Sequence, residues 1–209
     1  THYAFIENEG QWPNSILFKA RFAGGNLWIQ QHKFVFHLHD FSHTRNLHEH
    51  PNEKNSVDGS DKQTVVHLNF DGTNEVKTIE KSYQSPYYYN YFLGKEPSKW
   101  ASNVRGYGEA IMQNFYNGID LKLIEQEAAL KYEFHVQPNA DPNEIRFHYS
   151  GQNSVSISST GKLIVSTSLG EIIEQKPYAY QVINGRITPV DCAFEITENK
   201  VHFRLGYYR

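Results

Sequence analysis

The sequence predicts an all-β protein, an antiparallel β-sandwich built as one continuous domain or as an extended sandwich of two lobes. Three observations predict it. Apolar and polar residues alternate with period two along most of the chain, which is the signature of half-buried strands. Turn signals interrupt the alternation at short intervals. No segment carries a helical period, apart from Asp141-Pro142-Asn143-Glu144, where Asp141 caps and Pro142 opens a single turn.

Taken in order, Ile16, Phe18, Ala20 and Phe22 share one strand face, with Lys19 and Arg21 on the other. Phe34, Phe36 and Leu38 alternate with Val35, His37 and His39, and Val66, Leu68 and Phe70 with His67 and Asn69. Ile119, Leu121 and Leu123 follow, then Leu130, Tyr132, Phe134 and Val136, all expected in the core. Ile145, Phe147 and Tyr149, then Leu163 and Val165, continue the pattern. Tyr178, Tyr180 and Val182 lead into Asn184-Gly185, a two-residue hairpin signal. Val190, Cys192, Phe194 and Ile196 precede Val201, Phe203, Leu205 and Tyr207. One apolar face per strand implies antiparallel sheets packed on one side.

Composition narrows the classes. At 209 residues the chain is long enough for one large all-β domain or two small ones. Its 14 Tyr and 13 Phe, against one Met, favour pleated surfaces. A net charge of −3 gives no basic footprint for nucleic acid. No apolar stretch approaches the ~20 residues of a membrane helix, so membrane insertion is not expected. Cys192 stands alone, which rules out an internal disulfide, and its apolar neighbours make it a buried thiol rather than an activated one.

A boundary is expected near residue 100. It separates an N-terminal lobe, 1–100, carrying a polar His-rich loop at 40–63, from a C-terminal lobe, 101–209. That loop is expected to be mobile and open to proteolysis. The closing run Phe203–Arg209 reads as a strand in progress, so the chain is expected to be part of a longer protein.

Three runs stand out: Phe5-Ile6-Glu7-Asn8-Glu9-Gly10-Gln11-Trp12; Asn90-Tyr91-Phe92-Leu93-Gly94 followed by Trp100; and Tyr116-Asn117-Gly118-Ile119-Asp120-Leu121. Leu130-Lys131-Tyr132-Glu133-Phe134, Pro138-Asn139-Ala140-Asp141-Pro142 and Gln175-Lys176-Pro177-Tyr178-Ala179-Tyr180-Gln181 accompany them. Together they resemble the N-terminal all-β domain of large exported Bacteroidetes proteins, which continue into propeller-type repeats or immunoglobulin-like modules and end in a type IX secretion sorting domain. The resemblance implies an extracellular or outer-surface location after signal-peptide removal, with other domains of the same long chain as partners. It carries no catalytic residue and no cofactor. The matched glycines and tryptophans read on their own as turn and packing residues.

Three constellations are candidates for chemistry. His37 and His39 lie two apart on one strand, and His67 occupies the polar face of another, so the three are candidate metal ligands. The simpler reading is a solvated sheet face, and they are expected to share that face without forming a physiological site. The run Tyr83, Tyr87, Tyr88, Tyr89, with Trp100 beyond it, is a candidate ligand surface for stacking on glycan or protein. The simpler reading there has alternate tyrosines filling the core: Tyr87, Tyr89 and Tyr91 share one face, so at least one alternate set is expected to be buried. Asp120, Glu125, Glu127 and Glu133 are candidate glycosidase acids, although Glu133 alternates with Lys131 as an ion pair would. Neither Gly-x-Ser-x-Gly nor a Gly-rich phosphate loop occurs. The expected function is therefore a non-catalytic structural or adhesive module of an exported surface protein. The alternative is a carbohydrate-binding or carbohydrate-processing sandwich.

Overall fold

The alternating segments become strands, and one hydrogen-bonded sheet folded over on itself supplies most of the molecule. The structure is a computed structural model that describes residues 5–22, 24–40, 62–126 and 129–209. Residues 41–61 of the expected polar loop lie outside the described residues. Among the described residues there is no α-helix. The turn at Pro142–Glu144 is a short 3-10 turn, and the Asp141 carboxylate accepts from the Asn143 amide at 2.9 Å, as its capping position predicts.

The large sheet begins with β1 (Phe5–Glu7), β2 (Ile16–Phe22), β3 (Gly25–Gln30), β4 (Lys33–His39) and β5 (Gln63–Phe70). These are joined by β10 (Arg146–Ser150), β16 (Cys192–Thr197) and β17 (Lys200–Leu205) into the order β16-β17-β10-β5-β4-β3-β2-β1. From β1 the sheet passes to β7 (Ala101–Tyr116), β8 (Ile119–Gln126) and β9 (Ala129–Val136), with β6 (Ile79–Tyr91) paired only to β7. The strand β1 is the fold line. It pairs with β2 through Ile6 and Lys19, and with β7 through Phe5 and Tyr107. The β7-β8-β9 leaf thereby lies over the β2–β5 leaf, and Phe34 meets Tyr132 while Phe70 meets both Phe115 and Phe134. This is the sandwich that the alternation predicts.

The core follows the apolar faces. Phe18, Leu27, Phe34, Leu68 and Phe147 from one leaf pack with Met112, Phe115, Leu121 and Leu123 from the other. A small sheet of β11 (Ser154–Ile157), β12 (Leu163–Thr167) and β13 (Gly170–Glu174) adds Leu163 and Val165 to the same core. Residues on both sides of position 100 contribute to this one cluster.

Two expected core faces are corrected. On β9, Leu130, Tyr132 and Phe134 are half-buried against the core, and Val136 is 42% exposed. The cause is position: β9 is an edge strand, so its apolar face seals a rim and its last residue runs past it. In the hairpin of β14 (Ala179–Ile183) and β15 (Arg186–Val190), Tyr178, Tyr180, Val182 and Ile187 are exposed. The hairpin itself is as predicted. Asn184 and Gly185 both take positive φ, 50° and 75°, as its two-residue turn requires. Among the described residues no third layer covers its apolar side. Tyr207 is likewise exposed. Cys192 is half-buried, and burial pushes its thiol up, away from reactivity.

Candidate binding surface

The loop after β1 is built to hold one side chain in place. Asn8 sits at its centre. Its amide nitrogen donates to the carbonyls of Trp12, Pro13 and Ile16, and its Oδ1 accepts from the Gly10 and Trp12 amides. Buried Gln11 donates to the Glu7 carbonyl at 2.7 Å and accepts from the Glu9 amide at 2.6 Å. Gly10 completes the loop at φ 103°, a conformation an L side chain rarely adopts. The loop delivers Trp12 to the outer side of the sheet.

A second element meets it there. Strands β6 and β7 form a long arm beyond the fold line, and alternation fails along it. Register shifts occur between Gln84 and Tyr88 and again between Tyr89 and Tyr91. Tyr83, just before the first irregularity, takes φ 56°, an uncommon conformation for a bulky residue, and faces Gly108 across the pair. The expectation that one alternate set of these tyrosines fills a core is therefore overturned. Tyr83 is 75% exposed and Tyr87 73%, and Tyr88, Tyr89 and Trp100 are exposed as well. Only Tyr91 of that set is half-buried. The bulges break the period, and the arm lies outside the span of the main core. Arg105 stacks on Tyr88 at 5.3 Å, and Trp100 packs edge-on against Phe92 while its indole N–H donates to the Gly94 carbonyl.

The two elements meet at Trp12. Its ring lies 5.3 Å from Tyr91 and 5.3 Å from Trp28, edge-on to both. The Lys19 ammonium sits 4.7 Å from the Trp28 ring centre and 5.9 Å from that of Trp12. Such a contact is worth about 0.5–1 kcal/mol at an exposed site and about 2 kcal/mol when desolvated. Burial pushes the Lys19 ammonium below its usual range, and Arg21 pushes it further. Tyr89 extends the surface, its ring 6.3 Å from Tyr91 and inclined at 33°. Sequence reasoning took Trp12 as an anchor only and passed over Lys19, Arg21 and Trp28. The available signal was Lys19 and Arg21 alternating on the face opposite Phe18 and Ala20.

The histidines share a face of the same leaf. Val35 pairs with His67 and His37 with Val65, so His37, His39 and His67 all project away from the core. The His37 and His39 ring centres lie 4.1 Å apart with the rings tilted by 41°, and His37 bonds the Gln63 amide oxygen at 2.8 Å. Burial, then the Lys33 charge, lowers the His67 pKa. Among the described residues no group of three or more His, Cys, Asp or Glu side chains converges to hold a metal.

A family model described as a domain of unknown function, DUF7948, matches residues 5–209. The chain belongs to that family. Comparison with curated proteins and with solved structures gives no match. Two of the three runs that drew attention in the sequence of this DUF7948 member supply Trp12 and Tyr91, which touch. The third forms the β7–β8 turn, where Asn114 donates its amide to Asp120 and accepts from the Gly118 amide.

Two of the acidic candidates, Asp120 and Glu133, are engaged in structural contacts. Asp120 holds that turn. Glu133 pairs with Lys131 at 2.6 Å and His135 at 3.0 Å, and although burial raises its pKa, the two cations together bring it below the usual carboxylate range. Glu127 lies outside the described residues. A carboxylate that sequence reasoning missed is Glu174 at the end of β13. The hydroxyls of Tyr132 on β9 and Tyr149 on β10 both donate to it. Burial raises its pKa, against the opposing pull of the two hydroxyls. It ties the small sheet to both leaves of the sandwich.

Proposed function

We propose that this chain is a non-catalytic, adhesive module of an exported surface protein, and that it holds glycan through the aromatic arm of β6 and β7. One observation carries the reading: Tyr83, Tyr87, Tyr88 and Tyr89 on β6 and Trp100 just before β7 are all exposed, where sandwich packing gives them no role. Exposed aromatic surface of this extent marks interaction sites. Rings on paired strands meet a flat sugar face at little entropic cost, because a Tyr side chain has few torsions to fix. The glycosidase alternative finds less support, since Asp120 and Glu133 are engaged in turn and ion-pair contacts and Glu174 is capped by two tyrosines. The resemblance to Bacteroidetes surface proteins motivates the rest of the proposal: type IX export, an outer-surface location, and neighbouring domains of the same chain as partners.

Affinity electrophoresis through gels containing soluble polysaccharides tests the reading. The protein should be retarded by at least one polysaccharide, and Tyr87→Ala/Tyr88→Ala should weaken retention at least about tenfold, equivalent to ~1.4 kcal/mol. Its circular dichroism should not change, because both side chains are exposed. A variant retained as strongly as the wild type, or no retention in any gel, would overturn the assignment.

A further inference from the structure

We propose that Lys19 and Arg21, beside Trp12, Trp28 and Tyr91, form a subsite for the anionic group of an acidic glycan, a carboxylate or a sulfate. The inference rests on the glycan reading above and names the class of sugar.

Position comes first. Lys19 and Arg21 are two apart on β2, so both project from the outer face, opposite buried Phe18 and Ala20. Ile6 and Trp28 flank Lys19 across the sheet, and Asn26 flanks Arg21. The next positions outward are Val35 beyond Trp28 and His37 beyond Asn26. None of these neighbours is acidic. Lys81, Lys99, Lys122, Lys131 and Lys200 each have a carboxylate partner. Neither Lys19 nor Arg21 has one among the described residues.

The physical consequence is a vacancy of charge. Burying part of an ammonium costs free energy unless an opposite charge offsets it. Here the indoles offset some of that cost, while Arg21, on the same side, adds to it. An anion placed between the two cations would remove the repulsion and gain two charge-assisted hydrogen bonds. The same site supplies the rest of a sugar contact. Arg21 lies close enough to act electrostatically on the Tyr91 hydroxyl, which burial and Tyr89 push up and the guanidinium pulls down. The Tyr89–Tyr91 pair offers a stacking face beside the charges, continuous with the arm. A ligand with only an anion would leave that face unused, and a neutral sugar would leave the cations uncompensated.

Calorimetric titration with three hexasaccharides tests this: hexagalacturonate, its fully methyl-esterified form, and a sulfated galactan. The ester keeps size and shape and loses only charge. At least one acidic probe should bind at least about tenfold more tightly than the ester, with an affinity that falls as salt rises. Whichever acidic probe binds more tightly identifies the substituent. The Lys19→Met/Arg21→Gln variant, which keeps the aliphatic stem over the indoles, should bring acid and ester to equal affinity. Equal affinity of both acidic probes and the ester for the wild-type protein would overturn the subsite without recourse to any variant. If the ester still bound through the tyrosine arm, the glycan reading would survive that result. If none of the three bound, the subsite would fall, and the polysaccharide gels would decide the broader reading separately. Free sulfate competing as well as the oligosaccharide would reduce the site to an adventitious ion only.

Discussion

Glu174 shows how one side chain can join layers that the strand pattern leaves separate. Its carboxylate accepts from Tyr132 and Tyr149 in a setting where burial favours the protonated form. The folded state then holds the Glu174 proton more tightly than the unfolded chain, whose ordinary value is 4.5. The stability this contributes is complete below pH 4.5 and is lost as pH rises through the raised folded pKa. Glu174→Gln removes the titration and keeps an acceptor. Denaturant unfolding at a series of pH values should therefore show the wild type losing stability relative to Glu174→Gln from about pH 4.5 upward. Parallel curves would show that Glu174 titrates normally. Glu174→Ala should be destabilising at every pH, by about 1–3 kcal/mol for each hydroxyl left without an acceptor.

Edge strands explain where the pattern in the sequence stops predicting burial. In β8, a strand with neighbours on both sides, every alternate apolar residue, Ile119, Leu121 and Leu123, is fully buried. In β9 the same alternation is visible, yet among the described residues nothing pairs with its far side, and burial fades towards Val136. Phe134→Ala, which loses contacts with Phe70, Tyr132 and Phe203, should cost ~2 kcal/mol, below the ~3–5 kcal/mol of a fully buried Phe. Val136→Ala should stay within ~0.5 kcal/mol. Equal losses at the two positions, read by thermal or denaturant unfolding, would mean the rim is sealed along its whole length. The β6 edge departs further from the pattern. Pro86, the bulge between Gln84 and Tyr88 and Lys81 interrupt a row of exposed backbone groups that would otherwise invite edge-to-edge pairing. Those interruptions also turn the tyrosines outward, which period-two reading had no means to anticipate.

At the scale of the whole molecule, the sequence made the elements legible but not their meetings. Local rules sufficed for the β14–β15 turn and the Asp141 cap, because each depends on residues a few positions apart. The contact of Trp12 with Tyr91 joins the loop after β1 to the end of β6, and Glu174 reaches Tyr132 and Tyr149 only once the small sheet packs on the folded large one. The same reasoning bears on cooperativity. A cut at position 100 severs the β6–β7 ladder, the Phe5–Tyr107 pairing of β1 with β7, and the Phe70–Phe147 pairing of β5 with β10. It also divides the Phe34–Tyr132 and Phe70–Phe115 contacts at the centre of the core. Each piece loses partners that cover much of its apolar face, and what each retains, such as Phe134 against Phe203, buries too little to offset chain entropy. Residues 1–100 and 101–209 expressed separately should each give the collapsed amide spectrum of an unfolded chain. The intact chain should unfold in one calorimetric transition with matching calorimetric and van't Hoff enthalpies. A dispersed spectrum from either piece alone, or two resolved transitions in the whole, would instead establish two lobes that fold independently.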